Sequence, residues 1–258
     1  MERTALVTGA SGGLGAEFAR IFAREGYSLL LVARSERLLR ERSSELSRTY
    51  GIEARWIALD LAEQGAPQRL LESVRQERVE VEALVNNAGF GDVSPLAHAD
   101  AEKISRMVEL NVGCLTELCR GIVPDMLERG SGAVLNVASV AAFMPGPYMA
   151  SYFATKAYVL SFSEALSAEL SGTGVTCTAL CPGPTRTGFW KAAGDEGSPL
   201  LSALPCKTPA QVAEEGYRGL VLGKAIVVPG WTNRIAAFGT RLLPRAAVRG
   251  LAARAIRP

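Results

Sequence analysis

Tyr152 and Lys156 stand four residues apart in Ala-Ser-Tyr-Phe-Ala-Thr-Lys, and Ser139 closes the apolar run Ala-Val-Leu-Asn-Val-Ala-Ser thirteen residues before the tyrosine. On a helix, an i,i+4 spacing sets a phenol and an ammonium side by side on one face. A free tyrosine ionises near pH ~10, and a neighbouring cation favours its phenolate. A hydroxyl donor, a phenol and a cation together make a proton-transfer set, with Tyr152 as general acid or base. Taken alone, Tyr-x-x-x-Lys describes a surface tyrosine beside a surface lysine at least as well, so the surrounding motifs decide.

The elements that must position this trio alternate along the chain. Short β-branched or aliphatic runs at 4–8, 28–33, 53–59, 81–86, 132–138, 174–180 and 225–228 read as strands. Between them, 13–25, 35–49, 65–78, 101–129, 151–171 and 209–222 carry helical periodicity, and Thr208-Pro209 supplies a cap and a first-turn proline for the last. Alternation of this kind predicts an α/β domain, a doubly wound parallel sheet of about seven strands with helices on both faces. One domain is expected over 1–230, with no repeat, linker or low-complexity tract inside it.

Directly after the first strand comes Thr8-Gly9-Ala10-Ser11-Gly12-Gly13-Leu14-Gly15, followed by a helical run. Glycines allow a tight turn and close backbone approach to a pyrophosphate, which the free amides and dipole of a helix N-terminus then favour. The spacing Gly9-x-x-x-Gly13-x-Gly15 departs from Gly-x-Gly-x-x-Gly, but its strand–turn–helix setting points to a dinucleotide site. Such folds select their cofactor at the end of the second strand, where an acid takes ribose hydroxyls or an arginine takes a 2′-phosphate. Here that strand ends in Ala33-Arg34-Ser35 with no carboxylate, so NADP(H) is expected over NAD, with Arg34 as the phosphate fork. Gly12 supplies no second basic contact.

With Asp60-Leu61, Asn86-Asn87-Ala88-Gly89, Asn111, Ser139, Tyr152-x-x-x-Lys156 and Pro182-Gly183-x-x-x-Thr187 following the glycine turn in order, the chain resembles the short-chain dehydrogenase/reductase family in its compact single-domain, Rossmann-type form, from Thr8 to about Pro229. The resemblance implies that Thr8, Gly9, Ser11, Gly13, Leu14 and Gly15 cradle the cofactor. It further implies that Asp60 and Leu61 meet the adenine, and that Asn87, Ala88 and Gly89 line a ribose. Pro182, Gly183, Thr185 and Thr187 would hold the nicotinamide amide, Thr185 mainly through its backbone. For the chemistry it implies that Ser139 binds the substrate carbonyl, Tyr152 donates the proton, Lys156 binds the nicotinamide ribose and lowers the Tyr152 pKa, and Asn111 supports a water-linked proton relay through Lys156. Asp60 could equally cap the following helix, and Asn86-Asn87 could simply turn the chain. Ala138 stands where many relatives carry serine, and Thr185 where an aliphatic residue is frequent.

Composition bounds the remaining readings. The single histidine, His98, and the absence of Gly-x-Ser-x-Gly argue against a hydrolase, and the scattered cysteines 114, 119, 177, 181 and 206 form no metal-binding pattern. They read as buried free thiols. The start lacks a basic region with a long apolar core, and no stretch of about 18 apolar residues occurs, so a cytoplasmic protein is expected. From Trp231 to Pro258 there are six arginines and no acid, leaving 22 basic against 26 acidic residues in the body. That balance excludes a nucleic-acid face on the body and makes 231–258 a basic amphipathic extension, in contact with a membrane surface, an acidic partner, or solvent alone. The Gly- and Pro-rich stretch 182–208, with Phe189, Trp190, Leu200 and Leu201, is expected to be a lid over an apolar carbonyl or alcohol substrate rather than an idle excursion. Assembly into a homodimer or homotetramer follows from the resemblance. The competing readings are a non-catalytic dinucleotide sensor or scaffold, and a nucleotide-sugar isomerase or dehydratase, whose separate substrate domain would need a longer chain.

Overall fold

Strand β1 (Thr4–Thr8) is buried over its last four residues and β2 (Ser28–Ala33) over all six, the mark of central parallel strands covered on both faces. They belong to a seven-stranded parallel sheet, observed in a computed structural model that describes residues 3–194 and 206–256. The other strands are β3 (Ala54–Ala58), β4 (Val81–Asn86), β5 (Gly132–Val137), β6 (Val175–Leu180) and β7 (Ile226–Val227), in the order β3-β2-β1-β4-β5-β6-β7. Every expected strand is present, with ends within two residues of the reading.

Helices α1 (Gly13–Arg24), α2 (Glu36–Tyr50) and α8 (Pro209–Val221) cover one face. Their core holds Phe18, Phe22, Leu39, Leu46 and Val212 against Leu29, Leu31 and Val85. On the other face, α3 (Ala66–Gln76), α5 (Leu115–Arg129) and α6 (Ala150–Glu169) pack Leu70, Leu118, Ile122 and Val159 against Leu6, Leu30, Leu84 and Val134. The expected capping at Thr208 is complete: its hydroxyl accepts from the Gln211 amide while the Gln211 side chain accepts from the Thr208 amide.

The reading of 101–129 as one regular helix is corrected. Helix α4 (Ala101–Val108) passes through a six-residue π-helical segment, Glu109–Cys114, into α5. The cause is a side chain: Asn111, 2% exposed, is held by groups outside its own helix, and the widened turn accommodates it. Two further helices, α9 (Trp231–Leu242) and α10 (Arg245–Ile256), form the C-terminal extension. Strand order reverses between β1 and β4, and a doubly wound sheet opens a crevice there at its C-terminal edge. Thr8 ends β1 at that edge, and Asn87, Ser139 and Pro182 follow strands that end there.

Candidate active site

The turn after β1 is built by close approach. Gly15 lies so near the end of β1 that a Cβ on it would overlap the Gly9 carbonyl oxygen, and Gly9 itself adopts φ +68° beneath Asn87. Thr8 is tied inward. Its hydroxyl accepts from the amides of Asn87 and Ala88 at 3.0 Å each, so β1 and the segment after β4 are joined across the crevice. The Asn87 amide group donates to the Thr8 carbonyl at 2.9 Å. Thr8 and Asn87 therefore shape the cradle first, whatever else they touch. No side chain caps α1, whose capping residue is Gly12, so its first-turn amides face outward without a partner from helix geometry. A pyrophosphate fits that donor set.

Arg34 is exposed at the end of β2 and makes no hydrogen bond or ion pair with any described residue, while Arg37 and Arg40 on the same stretch pair with Glu41 and Glu36. Asp60 is engaged: its carboxylate accepts from the Ala62 amide at 3.0 Å and pairs with Arg106 at 2.8 Å. Asp60 therefore ties the turn after β3 and does not cap α3, whose capping residue is Gly65, and it keeps lone pairs to spare for a further donor.

Behind β4 and β5 the chemistry-bearing side chains converge. Tyr152 and Lys156 are 7% and 5% exposed on α6. The Lys156 ammonium donates to the Val137 carbonyl at 2.7 Å and lies 5.8 Å from the centre of the Tyr152 ring. A Cβ on Gly89 would fall 2.8 Å from Asn111 Oδ1 and 3.6 Å from Lys156 Nζ, which places those three in one neighbourhood. Asn111 donates to the Phe90 carbonyl at 3.0 Å and to the Thr155 hydroxyl at 3.1 Å, and accepts from the Phe90 amide. Ser139 accepts from the Ala141 amide at 3.1 Å and reaches the Pro182 carbonyl at 3.5 Å.

Burial governs the electrostatics. Desolvation pushes the Tyr152 phenol up to about 12, partly offset by the Ser139 hydroxyl, and pushes the Lys156 ammonium down to about 8. The expected lowering of Tyr152 by Lys156 is absent in the ligand-free fold. The lysine donates to the Val137 carbonyl, and removal from water dominates at the phenol.

The segment after β6 closes the site from the other side. Thr185 donates to the Gly183 carbonyl at 2.9 Å, and Thr187 stands over the glycine turn, its Cγ2 3.4 Å from where a Gly13 Cβ would be. Gly183 is pressed against Asn233, which leaves no room for a side chain. A short helix α7 (Phe189–Ala193) then lays the Phe189 ring 5.3 Å from that of Tyr152, with Trp190 edge-on to Phe189, and the Ala193 carbonyl accepts from the Val93 amide at 3.0 Å. Leu200 and Leu201 lie outside the described residues.

Four contributors escaped the sequence reading: Thr155, Arg106, Asn233 and the Val137 carbonyl. Thr155 had a signal, a hydroxyl beside Lys156 in a helix whose neighbours were already suspect. The others act through long-range contact alone. Among the described residues no group of three or more His, Cys, Asp or Glu side chains could hold a metal, no helix is long and apolar enough to cross a membrane, and Cys114, Cys119, Cys177 and Cys181 are buried free thiols.

The family model described as short chain dehydrogenase matches residues 3–197, so the chain belongs to the short-chain dehydrogenase family. A short chain dehydrogenase of Pseudocercospora fijiensis is 38% identical over 187 residues, 72% of this chain and 60% of that one. A short-chain dehydrogenase of Sphingobium yanoikuyae, solved in complex with NADPH, superposes with a TM-score of 0.84 at 32% identity over 93% of this chain and 94% of that one. A bulky-bulky ketone specific alcohol dehydrogenase of Comamonas testosteroni gives a TM-score of 0.78 at 28% identity, with coverage of 95% and 96%. The chain spans between 32% and 60% of the length of the first curated relatives it matches.

Proposed function

We propose that this chain is an NADP(H)-dependent oxidoreductase that interconverts a carbonyl and an alcohol on an apolar substrate, with Tyr152 as general acid/base. The observation that carries it is the gathering of Tyr152, Lys156, Ser139 and Asn111 beside a glycine turn that leaves helix amides free. A bound nicotinamide cofactor would supply or accept the hydride. The first-turn amides of α1, with Ser11, Gly13 and Leu14, would hold the pyrophosphate, and Arg34 the 2′-phosphate. Asp60 and Leu61 would meet the adenine, Ala88 and Gly89 a ribose, and Pro182, Gly183, Thr185 and Thr187 the nicotinamide amide. NADP(H) over NAD is supported by the partnerless Arg34 and by the NADPH complex of the Sphingobium relative.

Ser139 would donate to a substrate oxygen while Tyr152 delivers its proton there, and in oxidation the same phenol would withdraw it. With burial holding the phenol protonated at neutral pH, the reductive direction starts from the correct form. Lys156, anchored by Val137, orients a ribose and passes protons toward Asn111. Phe189, Trp190, Met149, Phe153 and Met144 around the tyrosine favour an apolar substrate, as does the bulky-ketone relative. The unit carrying this activity is residues 1–230, with 231–258 as an extension; the lid expected over 182–208 lies in part outside the described residues. A cytoplasmic setting, in keeping with four buried free cysteines, and a homo-oligomeric state complete the proposal.

The test is NADPH oxidation with a panel of apolar ketones and aldehydes, in both directions. Turnover on at least one bulky apolar carbonyl is expected. Tight NADPH binding with no turnover on any carbonyl or alcohol would give the protein to the sensor reading instead.

A further inference from the structure

Helix α9 carries Trp231, Ile235, Phe238 and Leu242 at intervals of four, three and four, which is one line along a helix. In a folded core that line would face inward. Here it faces out: the four side chains are 72%, 61%, 60% and 71% exposed, and Leu243 adds another 47%. The helix rests on the domain through its opposite side, by Ala237, which is buried, and Asn233 against Gly183. Helix α10 does the same with Val248 and Ala252. Four large apolar side chains in a row form a patch on the order of the largest found on ordinary monomers, and such patches mark interaction sites.

The charge around the stripe names its occupant. Arg234 and Arg241, seven residues apart, border it on one side, and Arg245, Arg249 and Arg254 continue through α10, with no acid anywhere from Trp231 to Ile256. Arg234 is tied to the Val228 carbonyl and to Glu215, whereas the other four are exposed without an ion pair among the described residues. A second copy meeting this face two-fold would bring arginines against arginines with nothing to balance them. An anionic lipid surface balances all of them, takes the apolar stripe into its acyl boundary, and suits a tryptophan at the headgroup level. The cations are spread over two helices, which suits a sheet of headgroups better than one acidic groove.

We propose that α9, with the arginines of α9 and α10, docks this protein peripherally on an anionic lipid surface. The docking is independent of the assigned chemistry and stands or falls apart from it.

Flotation of the full chain with vesicles tests it, using phosphatidylcholine alone against phosphatidylcholine containing phosphatidylglycerol. The full chain is expected to float with the anionic vesicles, at least tenfold less with the neutral ones, and less as salt rises. The double variant Ile235→Glu/Phe238→Glu should abolish flotation and Arg241→Glu/Arg245→Glu should cut it at least tenfold, both with unchanged circular dichroism and Tm. The proposal falls if the full chain stays at the bottom with anionic vesicles, if neutral vesicles capture it equally, or if neither variant matters. It also falls if light scattering shows that Ile235→Glu/Phe238→Glu breaks a larger assembly into smaller ones, since the stripe is then a contact between copies. Retention on an immobilised acidic polypeptide without flotation would likewise reassign the face to a protein partner.

Discussion

Tyr152 and Lys156 are shifted in opposite directions by one cause, burial, which raises the free energy of the charged form of each in the ligand-free fold. The consequence for stability is measurable. The Lys156 pKa falls from 10.5 unfolded to about 8 folded, so below 10.5 the unfolded chain takes up the proton first. Stability attributable to this residue is therefore greatest above pH 10.5 and declines as pH falls toward 8, by up to about 3 kcal/mol. The unfolding free energy of the wild type relative to Lys156→Met should thus rise between pH 8 and 10.5; denaturant melts of both at several pH values would show it, and a flat difference would refute the shift. Thr155 offers a second test. Its hydroxyl accepts from Asn111 and donates to the Tyr152 carbonyl, so Thr155→Val should lower kcat several-fold with little change in KM and cost about 1–2 kcal/mol, while Thr155→Ser should restore both. Steady-state kinetics in which Thr155→Ser is as impaired as Thr155→Val would remove the positioning role. The residue types of the proton-transfer set were readable in the sequence because spacing alone pairs Tyr152 with Lys156. Their pKa values were not, since the phenol's environment depends on Phe189, brought in from a distant segment.

Strands were legible to within two residues because the central ones are mostly apolar runs between glycine- or charge-bearing breaks, the trace of parallel strands buried on both faces, while β3, which carries Arg55 and is only partly buried, was marked by its place in the alternation. Helix 101–129 shows the limit. Periodicity carried straight through it, and only the bonds from Asn111 to Phe90 and Thr155 reveal why the backbone widens there. Two predictions belong to the elements of the cradle. Gly15→Ala would push a methyl into the Gly9 carbonyl, so it should weaken NADPH binding at least tenfold and lower Tm, as read by calorimetric titration and thermal melts. Arg34→Glu leaves the fold untouched, because the side chain is exposed and unpaired among described residues. It should depress NADPH affinity by about tenfold or more while sparing NADH, the loss of a charge-assisted contact; equal losses for both cofactors would place the 2′-phosphate elsewhere.

Across the molecule, the strand ends at one edge of the sheet, with Asn111 and α6 beside them, collect the candidate residues, while the C-terminal helices rest on the domain through Asn233, Ala237, Val248 and Ala252. The fold class was legible because the strand and helix patterns alternate, whereas the outward stripe of α9 was visible only as a basic tail until its packing side was known. The central claim is that Tyr152 moves the proton, and one comparison tests it directly: NADPH-dependent reduction of the best apolar ketone by the wild type and by Tyr152→Phe, with NADPH binding measured on both. The account predicts NADPH affinity within a factor of about two, since the ring and its packing remain, and kcat reduced by about 10²–10⁴-fold. Comparable turnover by Tyr152→Phe, at unaltered cofactor affinity, would contradict it.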